Sequence, residues 1–334
     1  MLDRVGILVA VAALTAGNVC ASSTARAQNL EAVSVIAFPG TGNWPIRIAQ
    51  EKGYFAQAGI EVKLTPTPNS VFQMTNLIDG KFDIGMTAVD NVIAYAEGQG
   101  EVAVSREPDL FVFMGGSPSI PVLVTIPEIK TAQDLKGKTL AVDAVTTGYA
   151  FVLFDLLKRS GLELSDYKVE SAGGTLARWQ GMREHKYAAA ILTSPFDLMA
   201  KANGFNVLRY ARDVYGHYEE SVAVTRRAWA QANEQKLVAY SKAYVAAVEW
   251  LRDQTNKDEA ISILRKYFPD LSPELAAATH ANFTGRRGIA AKAQLDIAGI
   301  RKVLELRSEY GHPKKTLSDP ARYYDLRYYE AAVR

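Results

Sequence analysis

Hydroxyl, amide and glycine residues gather at six places along this chain, each where a short apolar stretch gives way to an amphipathic one. Phe38, Thr41, Asn43 and Trp44 stand at the first, Ser70 at the second, and Thr87, Asp90 and Asn91 at the third. Thr146, Thr147, Gly148 and Tyr149 mark the fourth, Gly174, Thr175 and Arg178 the fifth, and Ser194 and Phe196 the sixth, with Ser117 between the two sets of three. Residues of these types cap helix N-termini, which accounts for many of them without any ligand. The amides they surround also carry partial positive charge and favour an anion. The chemistry they suit is therefore reversible capture of a small oxyanion. Trp44, Phe38, Tyr149 and Phe196 would offer a flat apolar body a wall, although Trp44 reads equally as a staple packing its own loop. Asp90 and Asn91 read first as helix caps, and Arg47 or Arg178 could pair with the ligand's charge.

Bond-making motifs fail at nameable residues. Gly137-Lys138-Thr139 imitates the end of a phosphate-binding loop, but Ala132 occupies the place of its first glycine. Gly115-x-Ser117 begins a nucleophile elbow and meets Ser119 where glycine is needed. Gly40-x-Gly42 lacks the third glycine of a dinucleotide site. His185, His217, His280 and His312 are scattered, with no second ligand at metal-binding spacing. Neither a metal nor a cofactor is expected.

The elements that must hold these residues follow a repeated order of strand, short polar turn and helix. Val33–Phe38, Ile60–Leu64 and Phe82–Met86 are expected strands, followed by helices from Pro45, Val71 and Val92. A second set pairs the strands Thr139–Asp143, Lys168–Ala172 and Ala188–Leu192 with the helices Tyr149–Arg159, Leu176–His185 and Leu198–Asn203. Such alternation implies α/β architecture with parallel sheets covered on both faces. Ligands in such sheets lie beyond the carboxyl ends of the strands, where all six junctions would sit. Asn206–Tyr210 and Ser221–Thr225 are expected to return the chain to the first lobe. From Ala228 onward helices dominate, at Tyr240–Asp253, Lys257–Tyr267, Pro273–Ala281, Lys292–Tyr310 and Pro320–Ala332.

At the start, Val5 to about Leu14 is apolar and Ala25-Arg26-Ala27 has the small-x-small pattern of a secretory cleavage site, so residues 1–27 are expected to be a signal peptide. Val19 stands where a lipid-modified Cys20 would want a small residue, so no lipid anchor is expected. The remaining 307 of 334 residues suffice for two lobes. A net charge of +2 with no long basic run gives nucleic acid no footprint.

Four stretches carry a resemblance: Gly53-Tyr54-Phe55; Ala58-Gly59-Ile60-Glu61-Val62; Gly80-Lys81-Phe82-Asp83-Ile84-Gly85; and Asp134-Leu135-Lys136-Gly137-Lys138-Thr139. In this order they resemble periplasmic solute-binding proteins of the nitrate/sulfonate/taurine and thiamine-pyrimidine-precursor group. One departure stands in the second lobe, where Glu184-His185-Lys186-Tyr187-Ala188-Ala189 replaces the group's glycine–x–Asp–Ala pattern. The resemblance implies a type II periplasmic-binding fold, two α/β lobes joined by two hinge strands. Residues 28–116 and 213–334, including the helical C-terminal region, would form lobe I, and residues 117–212 lobe II. It further implies a monomer without cofactor, a small-molecule ligand, and an ABC permease with a cytoplasmic ATPase as partner. The alternatives it leaves open are a pyrimidine-precursor synthase-like enzyme of the same fold and a periplasmic ligand sensor.

Overall fold

A computed structural model describes residues 29–118 and 120–334, and the expected leader, residues 1–27, lies outside them. Among the described residues, ten strands form two five-stranded sheets. The first sheet takes β1 (Glu31–Ala37), β2 (Ile60–Pro66), β3 (Ile84–Ala88), β4 (Leu110–Gly115) and β10 (Ser221–Arg226), in the order β2-β1-β3-β10-β4. The second takes β5 (Val122–Thr125), β6 (Thr139–Val142), β7 (Lys168–Ser171), β8 (Ala189–Leu192) and β9 (Asn206–Tyr210), in the order β7-β6-β8-β5-β9.

Each sheet is parallel only in part. β2, β1 and β3 run parallel, as do β7, β6 and β8. The strand that arrives from the other sheet, β10 in the first and β5 in the second, pairs antiparallel. Only parallel neighbours need a long crossover, and these two strands enter by another route. β9 corrects a second expectation. It pairs with β5 and stays in the second sheet, so the chain returns through residues 211–220, which hold a short helix, Ala211–Tyr215, instead of a hinge strand.

The strands β3, β4 and β5 are buried along nearly their whole length, as strands covered on both faces must be. On one face of the first sheet, Phe55, Phe113, Tyr240 and Tyr244 join the helices Trp44–Glu51 and Glu234–Arg252 in one core. On the other, Met74, Leu77, Val92 and Ile300 do the same for the helices Ser70–Ile78, Val89–Ala96 and Ile297–Tyr310. The expected helix from Lys292 begins only at Ile297, after a kink at Lys292. The expected helix Pro320–Ala332 is a 3-10 turn, Pro320–Tyr323, followed by a helix, Arg327–Val333.

The two halves repeat one plan, which explains the departure at His185. In the first half Gly80 closes the helix before β3 with φ of +83°. His185 occupies the matching place before β8 with φ of +58°, a conformation that costs a side-chain-bearing residue about 1–2 kcal/mol. Against this, glycine loses about 0.5–1 kcal/mol more chain entropy on folding. His185→Gly is therefore expected to stabilise the protein by about 0.5–1 kcal/mol in urea unfolding; a destabilised variant would show that the His185 side chain has a bonding role.

Candidate functional site: a cleft between the sheets

All six strand-to-helix junctions face the gap between the two sheets. Gly40, Asn43, Thr87, Asn91, Thr147, Gly148, Gly174, Thr175 and Ser194 line a single cavity there, with Phe38, Tyr149 and Arg178. Its volume is about 60 Å³. At roughly 10–15 Å³ for each water-sized group, it holds on the order of four to six of them. The occupant is small.

Hydrogen bonds between the halves close the cavity on several sides. The Thr41 hydroxyl donates to the Ser194 carbonyl at 3.0 Å, and the Gly174 amide to the Pro68 carbonyl at 2.9 Å. The Ser70 amide donates to Asp143 Oδ2 at 3.1 Å. The Thr146 hydroxyl donates to Glu101 at 2.7 Å.

The most buried of these contacts is built on an ion pair within one half. Arg307, with no exposed surface, donates through Nε to Asp90 Oδ1 at 2.7 Å and through Nη2 to Asp90 Oδ2 at 2.9 Å. It also reaches the Thr146 carbonyl at 2.7 Å across the gap. Asp90 Oδ2 in turn accepts the Gly148 amide at 2.5 Å, the first residue of the helix Gly148–Lys158. A carboxylate from one half thus occupies a helix N-terminus of the other, the position the helix's partial charge favours. A methyl group at Gly148 would lie 2.7 Å from Asp90 Cβ and Cγ, so this approach requires glycine.

Inside the cavity, Arg178 is the buried cation. Its Nε donates to the Ile191 carbonyl at 2.8 Å, Nη1 to the Gly173 carbonyl at 2.7 Å, and Nη2 to the Thr175 hydroxyl at 2.9 Å. Its guanidinium lies 5.1 Å from the centre of the Tyr149 ring. The Tyr149 hydroxyl donates to Glu220 Oε1, and burial, reinforced by that carboxylate, pushes the Tyr149 phenol well above its ordinary range. Burial raises the Asp143 carboxyl too, opposed by the charge of Arg178 and the bond from Ser70.

Seven expected ligand contacts lie off the cavity. Trp44 is buried in the core, its ring edge-on to His280 at 5.8 Å and Phe283 at 5.4 Å, which settles for it the packing role. Phe196 is likewise core, and Ser117 lies beside the first crossing between the halves. Thr41, Ser70 and Thr146 join the halves together. Asp90 does so as well; its helix begins at Val89 and is capped by no side chain, so the capping role is corrected to an ion pair with Arg307 in the same half and a bond from the Gly148 amide of the other. Asn91 is not a cap either, since its Nδ2 donates to the Thr87 hydroxyl at 2.9 Å. Arg47 packs over Tyr267, outside the cavity.

Asp143, Tyr218 and Glu220 line the cavity without having been picked out in the sequence. Asp143 directly follows β6, so the rule of strand carboxyl ends could have found it. Glu220 precedes β10, whose antiparallel entry brings the strand's amino end to the cleft. No local signal marks that.

Among the described residues, no helix is long and apolar enough to cross a membrane, and no three His, Cys, Asp or Glu side chains are grouped to hold a metal. A family described as NMT1/THI5 like matches residues 41–257. No curated protein matches the chain. A ligand-binding component of an ABC-type import system from Staphylococcus aureus, solved with zinc bound, is similar with a TM-score of 0.71 at 13% identity, over 90% of this chain and 99% of that one. The alkanesulfonate-binding protein SsuA from Xanthomonas axonopodis pv. citri, bound to MOPS, gives a TM-score of 0.70 at 16% identity, over 88% of this chain and 98% of that one. The desulfurization enzyme DSZB gives a TM-score of 0.63 at 13% identity, over 91% and 99%. The fold is the type II periplasmic-binding fold.

Proposed function

The chain belongs to the NMT1/THI5-like family, and from that premise we propose that it is the exported solute-binding component of an ABC importer. One lobe comprises residues 28–116 with 213–334, the other 117–212. A small organic solute enters between them and the lobes close over it, because only the closed state lets both sets of junctions touch it. The cavity at the strand carboxyl ends, sealed by bonds between the halves, is the observation that carries this reading. The partners are a permease and its cytoplasmic ATPase.

The likeness to a desulfurization enzyme favours a second reading, catalysis in the same cleft. Among the described residues, the lining contains no histidine, cysteine or lysine, and its two carboxylates already accept bonds from the Ser70 amide and the Tyr149 hydroxyl, which supports capture instead. A thermal-shift panel of sulfonates, carboxylates, nitrate and pyrimidines, followed by small-angle scattering and mass spectrometry, separates the two. The expected result is a ligand recovered unchanged and a smaller radius of gyration at saturation. An unchanged radius would contradict lobe closure, and conversion of the ligand would establish catalysis.

A further inference from the structure

The charges around the cavity do not suit a simple anion. Arg178 supplies one positive charge, while Asp143 and Glu220 are the acids of the same lining. The three hydrogen bonds of Arg178 all go to neutral oxygens, which leaves two of its five guanidinium N–H groups for a ligand. Asp143 is 5% exposed, and its Oδ2 is engaged by the Ser70 amide. Its Oδ1 is buried and has no hydrogen-bond partner among the described residues. A buried carboxylate oxygen left bare is costly, and a second negative charge in so small a space adds repulsion. A protonated nitrogen at the same place removes both penalties and gains a charge-assisted bond.

We propose that Asp143 sets the ligand class: the captured solute is a compact zwitterion whose protonated nitrogen bonds Asp143 Oδ1 while its anionic end meets Arg178. This rests on the capture reading and narrows it. The spare Arg178 N–H groups and the amide at Thr175, which begins its helix, are the donors this lining offers the anionic end. The burial that raises the Asp143 carboxyl is relieved when the ammonium arrives, so ligand and carboxylate stabilise each other's charged forms.

Calorimetry with matched pairs tests this on the full mature chain: ω-amino acids and ω-aminosulfonates of two to four carbons, each against the same molecule without its amine. In at least one pair the amine-bearing member is expected to bind at least about 10-fold tighter, the scale of one charge-assisted bond. Asp143→Asn is expected to bring that ratio to within about 2-fold, and Asp143→Glu to retain part of it. If the amine-free anions bind equally well or better, the zwitterion assignment falls while capture stands. If no member of any pair binds, the zwitterion assignment falls, and capture is decided by the wider thermal-shift panel. Should Asp143→Asn fail to fold, the wild-type ratios alone decide.

Discussion

Gly148→Ala is expected to hold the lobes apart while leaving each of them folded. Alanine is the better helix former by about 1 kcal/mol, and Gly148 begins its helix without a left-handed backbone, so the second lobe loses nothing locally. The conflict is entirely across the gap, where the new methyl would stand 2.7 Å from Asp90 Cβ and Cγ. Asp90 cannot swing aside without releasing Arg307. Separation of the lobes forfeits the Gly148–Asp90 bond and the Arg307–Thr146 bond, each charge-assisted and contributing about 1.5–3 kcal/mol. Ligand affinity should fall by about 100-fold or more, with unfolding of the ligand-free protein unchanged. Scattering should show the radius of gyration staying at its ligand-free value after ligand is added. Normal affinity together with normal compaction would refute the closure geometry.

Arg307→Met is expected to be among the most destabilising single changes in the protein. It removes the partner of a carboxylate with almost no exposed surface, and breaking such a pair from one side costs about 3–5 kcal/mol. Gln99 Oε1, which accepts from Arg307 Nη1 at 3.2 Å, is deprived at the same time. Replacing both members of the pair, as Arg307→Met with Asp90→Leu, should recover part of the loss, since no buried charge then remains. Urea unfolding measures both variants. A cost below about 1 kcal/mol for the single change would mean that Asp90 is hydrated in solution.

The strand-to-helix junctions were legible because two signals coincide at each: an apolar run ends and a residue with a helix-capping preference follows. Thr139–Val142 and the helix from Gly148 show how close that comes, since the sequence places them at Thr139–Asp143 and Tyr149. Val122–Thr125 escaped because no helix follows it and its apolar residues are too few to separate from a loop. The antiparallel entry of β5 and β10 also has no local signature, being set by the crossing between sheets. Within the site, Arg178 was visible as a cation in the first turn of a junction helix, but nothing nearby told that it is buried. The Asp90–Arg307 pair joins positions 217 residues apart, and no local pattern predicts such a partner. Trp44 shows the reverse case. Its junction pointed to the pocket, while His280 and Phe283, far along the chain, draw its ring into the core.

The bonds that seal the cavity also set a clock. With the rim closed by Thr41, Gly174, Asp143 and Arg307, a solute leaves only after these contacts part, however weakly it is held inside. Escape is then no faster than the opening of the lobes, a motion of microseconds to seconds, and a solute that touches both lobes slows that opening by the contacts it must give up. Rim bonds and solute contacts thus act on one step, and a transporter that parts the rim shortens the residence of every solute.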